Sequence, residues 1–153
     1  MLARIASRIT RLYGEEAFYR KVVRSLALHR RGEVRSDGLR LSFARTILQI
    51  EWCARDVHPW DRDLPPDQAE RCSSLQCLYD TNAAIGRLFA GIPAVDTIEL
   101  CVRRELSQPP LLAGAVDRED FGLDDYSSIG MKLRSLGLKF RMSDLRLEQI
   151  SGE

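Results

Sequence analysis

The chain has 153 residues, 44% of them hydrophobic and 29% charged, with a net charge of +1. That length fits one domain able to bury a core without metal or disulfide staples. No apolar run reaches the roughly 18 residues of a membrane-spanning helix, and no charged-then-apolar secretory leader is present, so a cytoplasmic protein is expected.

The first segment, LARIASRITRLYG, repeats Leu2, Ile5, Ile9 and Leu12 at helical spacing, with Arg4, Arg8 and Arg11 on another face. Gly14 ends it, and Glu15-Glu16 suit the first turn of a second helix. That helix places Phe18, Val22 and Leu26 on one side, Arg20, Lys21 and Arg24 around them, and Arg30 and Arg31 near its C-terminus. After the turn signal Ser36-Asp37-Gly38 the chain reads ambiguously. Leu39, Leu41 and Phe43 alternate, yet Phe43, Ile47 and Ile50 also fit a helix. A strand is expected over about 46–57, where Leu48, Ile50, Trp52 and Ala54 alternate with polar neighbours.

Pro65-Pro66 punctuates the chain, and Asp67 with Glu70 resembles a capping box opening a helix over about 67–90. Its expected buried residues are Cys72, Leu75, Leu78, Tyr79, Ile85, Leu88 and Phe89, with Gly91 at the C-terminal cap. Ile98, Leu100 and Val102 define a strand, Ser107-Gln108-Pro109-Pro110 a turn, and LLAGAVDRED the second arm of a hairpin. A helix with Ile129, Leu133 and Leu136 on one face follows, and then a strand LKFRM. The tail SDLRLEQISGE either extends that strand or adds a short helix.

The order after residue 45 is β-α-β-β-α-β, the split βαβ or ferredoxin-like pattern. The expected architecture is therefore α+β: a basic helical segment over 1–35 and a sheet-and-helix domain over 36–153. One sheet face would carry both long helices. The other would be bare unless the N-terminal helices cover it.

EWCARDVHPWDRDLPP, residues 51–66, concentrates reactive residue types. With the strand expected over about 46–57, Asp56 and His58 lie on the same face as Trp52 and Ala54, and the carboxylate could orient the imidazole as a general base. Asp61 or Asp63 nearby makes a mixed N/O metal site conceivable. The structural reading has Asp56 accepting turn N–H groups, His58 held extended by Pro59, and Trp60 covering the sheet edge. Asp61, Arg62 and Asp63 are then surface ion pairs. No phosphate-binding, dinucleotide, zinc-protease or nucleophile-elbow motif occurs. His29 and His58 are the only histidines, and Cys53, Cys72, Cys77 and Cys101 include no C-x-x-C. All four cysteines are expected as small, largely buried hydrophobes. No metal or cofactor is expected. Glu99 and Asp117 could meet across the hairpin, although a solvated acidic face is the ordinary reading.

Charge is unevenly spread. Residues 1–45 carry eleven Lys/Arg against four Asp/Glu, whereas 46–128 carry seven against fifteen. A basic front either packs on the chain's own acidic middle or meets an external acid. The leading expectation is a non-catalytic protein-interaction or assembly module, with a protein partner or self-association through the bare face, an edge strand or the basic helices. The alternatives are nucleic-acid binding through Arg4, Arg8, Arg11, Arg20, Lys21, Arg24, Arg30 and Arg31, docking of the first helix on an anionic membrane surface, and a small enzyme at Asp56 and His58. Trp60, Asp61 and Asp63 complete the candidate binding residues.

Overall fold

The computed structural model describes residues 15–27, 34–35, 38–123 and 128–151. The expected first helix and residues Arg4, Arg8, Arg11, Arg30 and Arg31 lie outside that set. Helix α1 covers residues 15–26. Strands β1 (Arg40–Ala44) and β2 (Ile47–Cys53) form a hairpin, followed by a 3-10 turn (Pro59–Asp61) and helix α2 (Pro66–Gly91). Strands β3 (Thr97–Arg103) and β4 (Pro110–Asp117), helix α3 (Ile129–Ser135), and strands β5 (Leu138–Ser143) and β6 (Arg146–Glu148) complete the order.

The protein is α+β, with a six-stranded mixed sheet in the order β1-β2-β3-β4-β5-β6. Among the described residues only β2 and β3 run parallel, joined by α2, as a parallel pair requires a long crossover. The split βαβ arrangement is not what forms. It would insert a strand between β2 and β3, but these two are direct neighbours from Ile47↔Thr97 to Cys53↔Arg103. It would also seat the last strand on the far flank of β2, and that flank is occupied by β1. β1 is the missed element. Its link to β2 is the two-residue turn Arg45-Thr46, and Arg45 sits at φ 60, where glycine is usual. The expected strand over 46–57 accordingly stops at Cys53, and the tail forms β6 by turning back on β5.

Strand alternation sorts side chains onto two faces. Leu48, Ile50, Trp52, Ile98, Leu100, Val102, Leu112, Val116, Leu138 and Phe140 point to the face covered by helices and join one core with Leu78, Ile85, Leu88 and Leu133. Helix α1 belongs to the same layer. Its Val22 and Leu26 enter that core, Phe18 stacks on Phe43 at 4.5 Å, and Ser25 lies so close to Gly91 that a Cβ there would meet its Oγ at 2.3 Å. The α1 helix therefore does not cover the opposite face.

Helix α2 departs from expectation in three ways. Its N-cap is Pro65, with no side-chain cap. The Asp67–Glu70 box does not form, because the helix starts at Pro66, so Asp67 lies inside its first turn rather than at the N-cap and accepts from Arg146 at 3.3 Å. Cys72, Leu75 and Tyr79 are exposed, while Ser74, Cys77 and Thr81 are buried, so the inward stripe is rotated from the expected one. Its C-terminus is closed by Arg118 rather than by glycine. The Arg118 guanidinium donates to the carbonyls of Phe89 (2.7 Å), Ile92 (2.9 Å) and Val95 (2.6 and 2.8 Å) and lies over the Phe89 ring. A cation there also meets the negative end of the helix dipole. Ser128 caps α3 through Met131 N–H, as a serine at that position should. Where β4 meets the start of β5, a Cβ on Gly114 would lie 2.5 Å from the Gly137 carbonyl oxygen, and one on Gly137 would lie 2.6 Å from that of Ala115. Both positions need glycine.

Candidate functional site

Residues 51–66 divide into a half-buried clamp and an exposed turn. Arg55 is the clamp. Its Nε and Nη2 donate to the two carboxylate oxygens of Asp80 at 2.6 and 2.5 Å, and Gln76 adds a third donor at 2.8 Å. Asp80 is 4% exposed, so this fork ties the end of β2 to the middle of α2 in a low-dielectric setting. Beside it, burial and then the Asp80 charge push the Cys77 thiol from an ordinary 9.0 to about 12.

Asp56 and His58 are not brought together. The Asp56 side chain is 82% exposed and pairs with Arg35 at 3.3 Å. His58 is exposed, and its Nδ1 accepts from Trp60 N–H at 3.2 Å, which makes it the cap of the 3-10 turn. Among the described residues no hydrogen bond joins the two, because β2 has ended and its alternation no longer governs them. Trp60 is 86% exposed and covers no sheet edge. Asp61 and Asp63 have no ion-pair partner among the described residues. On α1, Arg20 is held by Glu16 at 2.6 Å, while Lys21 and Arg24 are exposed. Of the cysteines, Cys53 and Cys77 are buried, Cys101 is half-buried and Cys72 is exposed.

The described structure gathers polar chemistry on the open sheet face. Strand register aligns Arg40, Glu51, Cys101, Ala113 and Lys139 in one row, and Ser42, Gln49, Glu99 and Ala115 in the next. The second row is a relay: Ser42 donates to Gln49 Oε1 at 3.0 Å, and Gln49 Nε2 donates to Glu99 at 2.8 Å. Arg103 Nε donates to Glu51 at 2.7 Å and its Nη1 to the Gln108 carbonyl at 2.9 Å, and the bond to Glu51 raises the Arg103 pKa further. Thr97 donates to Asp117 at 2.6 Å. Glu99 and Asp117 thus sit in different rows, each engaged by its own neighbour, and do not meet. Arg40, Ser42, Gln49, Glu51, Glu99 and Cys101 line a trough of about 380 Å³. Burial raises the Cys101 pKa, with Arg103 pulling the other way, so at neutral pH the thiol is a neutral part of the trough wall rather than a nucleophile.

Sequence reasoning missed Arg55, Asp80 and Arg118 because a lone arginine shows no periodic signal. It missed the trough because Arg40 and Ser42 lie on the unrecognised β1. The alternation of Gln49 and Glu51 in β2 with Glu99, Cys101 and Arg103 in β3 was the available clue. Compared with protein-family models, curated proteins and solved structures, the chain has no match in any of the three. No helix among the described residues is long and apolar enough to cross a membrane.

Proposed function

We propose that this chain is a non-catalytic interaction or assembly module whose contact surface is the open face of its sheet. One observation carries the reading: helices occupy one face, and the other is left open among the described residues with its polar side chains already paired in rows. Such a face meets a partner at low ordering cost, since Gln49, Glu51, Glu99 and Arg103 are held in place before contact. The trough is open and polar, which suits side chains of a protein surface better than an enclosed small molecule. The four cysteines of the chain form no disulfide with one another, which fits a cytoplasmic setting.

The test is a photo-reactive amino acid placed in living cells at Ala115, on the open face, and at Tyr79, on the outer side of α2. A discrete cross-linked species from position 115 and not from 79 is expected. No adduct from 115, or equal adducts from both, would overturn the reading.

A second reading has one supporting observation, the exposed Lys21 and Arg24 on α1. These are placed to meet phosphates, and such binding must weaken steeply as salt rises. A flat salt titration against a DNA or RNA oligonucleotide removes it.

A further inference from the structure

The two edges of the sheet are treated differently. β6 is three residues long. Its Arg146 is drawn to Asp67 and Glu70. The chain after it turns back, with Ile150 N–H donating to the Pro110 carbonyl and Gln149 to Gln108. A short, charged strand with the tail led away is a guarded edge. β1 carries one exposed charged residue, Arg40, at its start and otherwise has none of these devices. It is five residues long, free of proline and lysine, and in unbroken register with β2 from Arg40↔Glu51 to Ala44↔Ile47. Among the described residues no backbone hydrogen bond reaches its outer side. Aromatic surface flanks it: Phe43 is 36% exposed and stacks on Phe18, next to the exposed Tyr19.

We infer that β1 pairs with β1 of a second copy of this chain, antiparallel, about a two-fold axis at Ser42. The inference rests on the reading above and names one partner. The strand is complementary to itself about that residue. Leu41 and Phe43, equally distant from Ser42 on the helix side, oppose each other twice across the axis. Apolar cross-strand pairs of this kind stabilise a sheet. Arg40 faces Ala44, so no like charges are directly opposed. On the open side the two Ser42 hydroxyls meet. The Phe18–Phe43 stacks of the two copies come side by side in the helical layer. The troughs, each lined by Arg40 and Ser42, adjoin across the new pair, so the open face doubles in width. Such a contact is isologous, and it closes on itself as a dimer.

The register dictates the test. Ser42 is exposed, so Ser42→Lys and Ser42→Asp should fold, as far-UV circular dichroism and a melting curve will show. In sedimentation equilibrium the wild type should dimerise at or below roughly 100 µM, the range of modest interfaces. Each variant alone brings like charges together on the axis and should weaken self-association about fivefold. An equimolar mixture of the two should restore it as a heterodimer, and added salt should erode that rescue. A wild type monomeric throughout, variants that dimerise unchanged, or a mixture without rescue would each overturn the inference. Hydrogen exchange on the wild type is independent of the variants: β1 amides should slow as concentration rises from about 1 to 100 µM, and unchanged rates would also overturn it. Position 115 lies three strands from β1, on β4. A cross-link there to another protein, with a monomeric chain in sedimentation, keeps the open-face reading while this inference fails.

Discussion

The two faces of the sheet are built from alternate residues of the same strands, yet they use ionic chemistry in opposite ways. On the helix side polar groups are few, and the carboxylate at their centre, Asp80, is buried. Arg55 and Asp80 clamp β2 to α2, and Arg118 closes the end of α2. On the open side Glu51 with Arg103 and Gln49 with Glu99 are numerous and half-exposed. The lesson is that distance does not rank them. Arg103 bonds Glu51 at 2.7 Å and Arg55 bonds Asp80 at 2.6 Å, but removing one partner of a pair leaves an uncompensated charge only where water cannot reach it. The covered face stabilises the fold, and the open face can lose a partner at smaller cost.

The largest effect should come from Asp80→Ala. The buried carboxylate accepts two hydrogen bonds from Arg55 and one from Gln76, all lost at once, and a drop of about 3 kcal/mol in unfolding free energy is expected. Glu51→Ala on the open face should cost less than about 1 kcal/mol. Urea unfolding of the two variants beside the wild type measures both, and equal losses would abolish the contrast between the faces. Next is Arg118→Ala. It frees carbonyls of Phe89, Ile92 and Val95 at once, and about 2 kcal/mol should be lost. Faster hydrogen exchange confined to the last turn of α2 would locate the damage.

Alkaline pH sharpens the same comparison. Cys77 titrates near 9.0 when unfolded and about 12 when folded. Above pH 9 the unfolded chain has released a proton that the folded chain retains, so folding binds a proton and stability falls with rising pH. The contribution is complete below pH 9 and is lost progressively up to about 12. At pH 10 the wild type should have lost about 1 kcal/mol more than Cys77→Ala, relative to pH 7. A parallel pH dependence in the two proteins would show that the Cys77 site is wet. A smaller gain is expected at the β5–β6 turn, where Leu145 holds φ 63 and is 68% exposed. Leu145→Gly relieves that conformation and should raise stability by about 0.5 kcal/mol after glycine's own entropy is counted. A lower melting temperature would mean that Leu145 makes a contact worth more than its strain.

Much of the domain was legible because burial imposes periodicity. Ile98, Leu100 and Val102 in β3, the length of α2, and Ile129, Leu133 and Leu136 around α3 all announce themselves in this way. What stayed hidden lacks a periodic signature. Arg45 at a left-handed turn concealed β1, and with β1 went the sheet order and half of the trough. Arg55 looked like any outward residue of a strand, although the strand had already ended and its side chain turned inward to Asp80. Trp60 looked like a residue to be buried, and it is among the most exposed large hydrophobic residues described.

The smallest expected effect tests residues 51–66 directly. Asp56→Ala removes a single surface contact to Arg35, and His58→Ala removes one acceptor from a 3-10 turn of three residues. Each should shift stability by no more than about 0.5 kcal/mol, the range of surface substitutions that touch no buried group. Arg55→Ala, between one and three positions away, leaves Asp80 buried with only Gln76 to donate and should cost several times more. Thermal unfolding of the three variants measured side by side therefore reads the stretch residue by residue. A clear drop for Asp56→Ala or His58→Ala would mean that the turn holds the crossover into α2, and the clamp would have to be extended outward from Arg55 to include it. Unchanged melting for both, with a large loss at Arg55, leaves the reactive-looking side chains outside the fold's stability. The exposed face of that turn would then be available for substitution without disturbing the sheet it follows.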